Sequence, residues 1–160
     1  MTKTPHDVPA LRLLIVEDNQ ERLDRFREWI PDEFRLTCAR SAGRALEILR
    51  LDPGRVYAGL LLDHDLDQSV AAASELSLSG RQVTERITRL IDPDVPVLIH
   101  SVNPLGARRM HQMLNDHGFD VTRIPFFPLN RQRLQRWLEM VREKWTAARE
   151  LDLGLHQTYL

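Results

Sequence analysis

The chain has 160 residues, 42% of them hydrophobic and 28% charged, which matches one globular domain and excludes a disordered or fibrous chain. Its formal net charge is −1, so no global excess of charge calls for nucleic acid or an anionic membrane. A single cysteine, Cys38, excludes an internal disulfide and suits a reducing, cytoplasmic compartment. Met1 to Ala10 contain no apolar core of signal-peptide length, and the longest apolar stretch, Val56 to Leu62, is too short to span a bilayer, so no membrane association is expected. Of the 22 basic residues, all but Lys3 and Lys144 are arginine.

In chain order, Leu11 to Val16 reads as an apolar strand of a two-sided parallel sheet. It ends at Glu17-Asp18-Asn19, and Asp18 or Asn19 can cap a helix from about Gln20 to Ile30, with Leu23, Phe26 and Ile30 inward. Arg35 to Ala39 is a short second strand. Ser41 caps a helix that buries Ala42, Ala45, Leu46 and Leu49, and Pro53-Gly54 stops it. Tyr57 to Leu62 is the third strand and enters Asp63-His64-Asp65. A loop through Asp67, Gln68 and an Ala/Ser-rich stretch reaches Ser79. Val83, Ile87, Leu90 and Ile91 give the next helix its face. Val95 to Ile99 is the fourth strand, ending in His100-Ser101. Asn103 caps a helix with Pro104 in its first position and Ala107, Met110 and Leu114 inward. Phe119 to Ile124 is the fifth strand. Leu134, Trp137, Leu138, Val141, Trp145 and Ala148 recur at helical spacing in the last helix.

Five strands alternating with five helices predict a three-layer α/β domain, with helices on both faces of a five-stranded parallel sheet. The expected boundaries are an N-terminal tail over 1–10, the domain over 11–150 and a C-terminal tail over 151–160. Such sheets bind ligands outside the carboxyl ends of their strands. Four carboxylates meet there: Glu17 and Asp18 after strand one, Asp63 and Asp65 after strand three. Close carboxylates repel, and a hard divalent cation relieves this while also holding a phosphate oxygen. Alternatively, these acids only cap helices and occupy solvated turns. Mg²⁺ is the expected ion, with Mn²⁺ its substitute.

This set resembles a receiver domain, with flavodoxin-like architecture, over roughly Leu11 to Ala148. The resemblance implies that Glu17 and Asp18 hold Mg²⁺, that Asp63 accepts a phosphoryl group and that Ser101 contacts that group. Receivers end strand five in Lys before Pro; this chain has Ile124 before Pro125. Arg123 is one residue off, on the other side by strand alternation. The stretches from Asp63 to Leu66 (DHDL) and from His100 to Met110 (HSVNPLGARRM) resemble the cyclic-phosphate-processing receiver domains, whose members carry glycines where this chain has Asp67 and Gln68.

His64 and His100 end neighbouring strands, so their rings are expected to be able to face one another and to divide acid and base roles on a phosphodiester, or to ligate a metal beside Asp63. The helix opening at Asn103-Pro104 offers backbone N–H groups to an anion, and Arg108 and Arg109 follow one turn on. The catalytic candidates are therefore Asp63, His64, His100 and Ser101. The phosphate-binding candidates are Ser101, Asn103 and Arg108, and the metal candidates are Glu17, Asp18, Asp63 and Asp65. The expected ligand bears phosphate, such as a nucleotide or an RNA end. Three functions fit: a metal-dependent phosphoesterase acting on cyclic phosphates, a stand-alone response regulator phosphorylated on Asp63, and a non-catalytic pseudo-receiver that binds a partner protein.

Overall fold

A computed structural model describes residues 11–66 and 79–158. The expected tail over 1–10 and the loop over 67–78 lie outside the described residues. The elements run β1 (Leu11–Val16), α1 (Gln20–Trp29), β2 (Phe34–Ala39), α2 (Ala42–Leu51), β3 (Gly59–Leu62), α3 (Gly80–Leu90), β4 (Val97–Ile99), α4 (Pro104–Asp116), β5 (Val121–Arg123) and α5 (Arg131–Thr158). The strands form one parallel sheet in the order β2-β1-β3-β4-β5. This is the receiver, flavodoxin-like fold.

Period-two alternation divides the core into two layers. Leu13, Ile15, Leu61 and Leu98 pack with Leu23 and Phe26 of α1 and Leu134, Trp137 and Val141 of α5. Leu14, Val16, Leu60, Leu62, Val97 and Ile99 pack with α2, α3 and α4 through Ala45, Val83 and Ala107. The caps read from the sequence form as polar side chains satisfying the first free N–H groups: Asn19 accepts from Arg22 N, Ser41 from Arg44 N and Asn103 from Gly106 N.

Three strands are shorter than their apolar runs. Tyr57, Val95 and Phe119 are buried in the core, yet they precede the paired segments β3, β4 and β5. Pairing depends on backbone geometry rather than on burial. At the other end, α5 continues through Thr158, including the residues from 151 that the sequence reading assigns to a tail. Leu151 and Leu153 in that extension are exposed. Good helix formers from Ala147 to Leu151 carry the helix onward without a buried face, so no apolar periodicity announced it. No described helix is long and apolar enough to cross a membrane.

Gly59 opens β3 directly beneath α5. A Cβ there would lie 2.9 Å from Cη2 of Trp137, 3.1 Å from Leu13 Cδ2 and 3.3 Å from Val141 Cγ2. A rigid indole cannot swing away as a long flexible side chain can. Gly59→Ala is therefore expected to cost about 1–3 kcal/mol through overpacking, read as a lower urea midpoint at unchanged slope. An unchanged midpoint would mean that α5 shifts freely over the sheet.

Candidate metal and phosphate site

The reversal of strand order at β1 puts the carboxyl ends of β1 and β3 side by side at the topological switch point. Val16 pairs with Leu62, and Leu62 with Ile99. The ladder continues past the strands: Asp63 N donates to Val16 O at 3.0 Å, and His100 N donates to Leu62 O at 3.0 Å. Glu17, Asp63 and His100 therefore form the next row on the α1/α5 face, directly above Ile15, Leu61 and Leu98. All three are buried, Glu17 and His100 completely.

This register overturns one expectation. His64 and His100 end neighbouring strands, but the in-register neighbour of His100 is Asp63. His100 turns to α1, where its ring meets Phe26 edge-on at 4.9 Å between centroids. Its Nε2–H donates to Glu17 Oε2 at 2.9 Å, while Nδ1 is buried without a partner among the described residues. His64 points to the opposite face. A Cβ on Gly106 of α4 would strike its ring at 2.4 Å, so that ring lies flush against the glycine. The two imidazoles therefore lie on different faces of the sheet, His64 against α4 and His100 against α1.

Glu17, Asp18 and Asp63 each offer a carboxylate oxygen, and these three atoms lie within 4.8 Å of one another. Asp65 does not join them. Its Oδ1 accepts from His64 Nδ1 at 2.7 Å, and its two oxygens accept from Asn103 Nδ2 at 3.1 and 3.2 Å. The chain turns out of the extended conformation after Asp63, which redirects Asp65 towards α4. Asn103 is equally committed, since its Oδ1 accepts from Gly106 N at 3.0 Å. Ser101 is buried, lowers the Asp63 pKa and accepts from Asn103 N at 3.2 Å. Arg108 is exposed on α4; Arg109 lines a groove with His64, Arg81, Gln82 and Met110. Lys144 sits on α5 and pairs with Asp120 at 2.5 Å, and Arg123 reaches the Pro104 carbonyl.

One site residue escaped the sequence reading. Arg22 Nη1 stands 3.7 Å from Glu17 Oε2 and 3.6 Å from Asp63 Oδ2. Its guanidinium also lies 5.1 Å from the ring centroid of Phe126 and 5.8 Å from that of Phe127, in the loop before α5. The signal was present: Arg22 precedes Phe26 by four and Ile30 by eight, a cation on the apolar face of α1.

The profile of the cyclic-phosphate processing receiver domain family matches residues 12–116, from β1 through α4. The chain belongs to this family. No curated protein matches the chain. Among solved structures, it is similar to the signal receiver domain of an HD domain-containing protein from Pseudomonas fluorescens Pf-5. That pair is 18% identical with a TM-score of 0.65, covering 92% of this chain and 98% of that one. An adenylate cyclase structure from Rhodopirellula baltica gives 15% identity and a TM-score of 0.64, over 91% and 96% of the two chains. The receiver domain of a sensor histidine kinase from Pseudomonas aeruginosa PAO1, solved with magnesium in its active site cleft, gives 21% and 0.57, over 82% and 96%. At these identities the likeness is one of fold.

In this receiver domain the two central carboxylates are driven apart in acidity. Burial pushes Glu17 up, but the hydrogen bond and charge of His100, the Asn19 N–H and Arg22 outweigh it, so Glu17 sits below the usual range. Burial and the neighbouring Glu17 charge push Asp63 above its usual range, against His100, Ser101 and the His64 N–H. Three oxygen donors in this spacing suit a hard divalent cation, whose ligands lie at about 2.0–2.6 Å.

Because the folded pKa of Asp63 is raised, its contribution to stability is fully present below the unfolded carboxylate range and is lost as pH rises through the folded pKa. Asp63→Asn should therefore stabilise the metal-free protein at pH 7, and its advantage should shrink as pH falls towards 4. Chelator-treated melts across that range check this. A destabilised variant at pH 7 would show that Asp63 is held by its partners more strongly than burial and Glu17 oppose it.

Proposed function

We propose that the chain holds a divalent cation through Glu17, Asp18 and Asp63 and acts there on a phosphate ester, opening cyclic phosphate ends such as those of a nucleotide or an RNA. The observation that carries this reading is the convergence of those three carboxylates within 4.8 Å beside the Ser101 hydroxyl. Family membership supports the substrate class. A bound Mg²⁺ or Mn²⁺ would neutralise the acids and polarise a phosphoryl oxygen.

The protein's own groups divide the remaining work. His100 is sealed from solvent and holds Glu17 ionised and oriented, which makes it a positioning residue. His64 is partly exposed, and Asp65 accepts a hydrogen bond from Nδ1–H, the tautomer in which Nε2 carries the lone pair that takes a proton. We assign the proton transfer to His64, with Asp65 redirected from metal ligation to orienting that ring. Ser101 contacts the phosphoryl group next to Asp63. Asn103 holds Asp65 and caps α4.

Two measurements test this. Saturating Mg²⁺ or Mn²⁺ at a hundredfold excess over Kd should stabilise the wild type by about 2.7 kcal/mol, and Asp63→Asn should lose that gain. Hydrolysis of a nucleoside 2′,3′-cyclic phosphate should fall about 10²–10⁴-fold in His64→Ala with little change in melting. His100→Ala should instead lower the melting temperature, since it strips a buried carboxylate of one of its donors, at a cost of about 1–3 kcal/mol. Near-complete, Asp63-dependent phosphorylation by a small acyl phosphate would favour the response-regulator reading. No turnover and no phosphorylation would leave a partner-binding pseudo-receiver.

A further inference from the structure

The acidic site already contains a cation of its own. Glu17 and Asp63 are buried side by side, and carboxylates this close repel. His100 gives its hydrogen bond to Glu17 and reaches Asp63 only through its charge. Among the described residues, the groups that favour the Asp63 carboxylate by hydrogen bonding are neutral: the His64 N–H and Ser101. Among the described residues, Arg22 ion-pairs with both acids, through the same Nη1, and its side chain is only 18% exposed.

The contacted atoms are Glu17 Oε2 and Asp63 Oδ2. A guanidinium at 3.6–3.7 Å from both stands where its charge opposes a dication approaching the same carboxylates. The guanidinium also rests against Phe126 and Phe127, and Phe127 is 80% exposed. This gives it an aromatic seat that does not depend on the carboxylates. A cleft lined by Asn19, Arg22, Arg25, Phe126 and Phe127 adjoins it, so the side chain has room to shift without disturbing the core. Ile124 stands where a lysine would end strand five, and the described lysine, Lys144, is spent on Asp120.

We propose that Arg22 is the exchangeable counter-ion of this site: it competes with the divalent cation for Glu17 and Asp63, and it grips the phosphate once the cation has arrived. This rests on the metal reading above. One residue then sets two affinities in opposite directions. Its charge weakens metal binding, and its fork of donors strengthens phosphate binding.

The test is calorimetric titration of Mn²⁺, and then of inorganic phosphate at saturating Mn²⁺, into wild type and Arg22→Gln. The variant should bind Mn²⁺ about tenfold more tightly and phosphate about tenfold more weakly, the scale of one charged contact near a protein surface. Such opposed shifts would not follow from loss of structure. Parallel weakening of both ligands, or equal Mn²⁺ affinities in the two proteins, would overturn the proposal while leaving the metal site standing. Absence of Mn²⁺ binding in both proteins would overturn the proposal and the metal reading together. If Arg22→Gln does not fold, Arg22→Lys decides, because it keeps the charge and loses the fork. Weaker phosphate binding at near wild-type Mn²⁺ affinity supports the proposal, and unchanged phosphate affinity overturns it.

Discussion

The feature on which the site depends is the in-register row of Glu17, Asp63 and His100 across three central strands. It continues an apolar row, Ile15, Leu61 and Leu98, into polar chemistry without leaving the protein interior. Two carboxylates buried side by side are unstable unless something answers their charge. The neighbouring contacts are those answers. Asn19 turns its N–H to Glu17, His100 donates to Glu17, Ser101 and the His64 N–H serve Asp63, and Arg22 faces both acids. Phe26 closes the row by packing on the His100 ring. Helix α1 thus supplies the charge and the cover together, because Arg22 and Phe26 are four residues apart on one face.

The sheet separates the chemistry into two compartments. On the α1/α5 face lie the buried acids and their cation. On the α3/α4 face lies His64, laid on Gly106 and tied to Asp65, which Asn103 holds in turn. Glycine at position 106 is required by that contact, since any side chain would occupy the space of the imidazole. One face therefore concentrates buried charge. The other leaves the His64 imidazole at the rim, with its Nδ1 committed to Asp65.

The sequence carried the architecture because it depends on local patterns. Apolar runs of strand length, the caps Asn19, Ser41 and Asn103 and the Pro at the start of α4 each mark an element without reference to any other. The convergence of Glu17, Asp18 and Asp63 was legible too, because parallel α/β sheets gather their strand ends on one edge. Element lengths were less legible. Exposed Leu151 and Leu153 give no periodic signal, so the extension of α5 was silent.

What the sequence by itself determined is therefore the parallel sheet, its order of elements and the acidic rim, all of which follow from periodicity, capping and chain direction. What only the tertiary structure decided is which rim residues are neighbours. Strand register is a contact between distant segments, and a shift of one residue exchanges faces. That step set His100 beside Asp63 instead of opposite His64. The turn after Asp63 carried Asp65 away from the acids and into the grasp of Asn103. The docking of α1 laid Arg22 across Glu17 and Asp63, a contact that no spacing within β1, β3 or β4 could have announced.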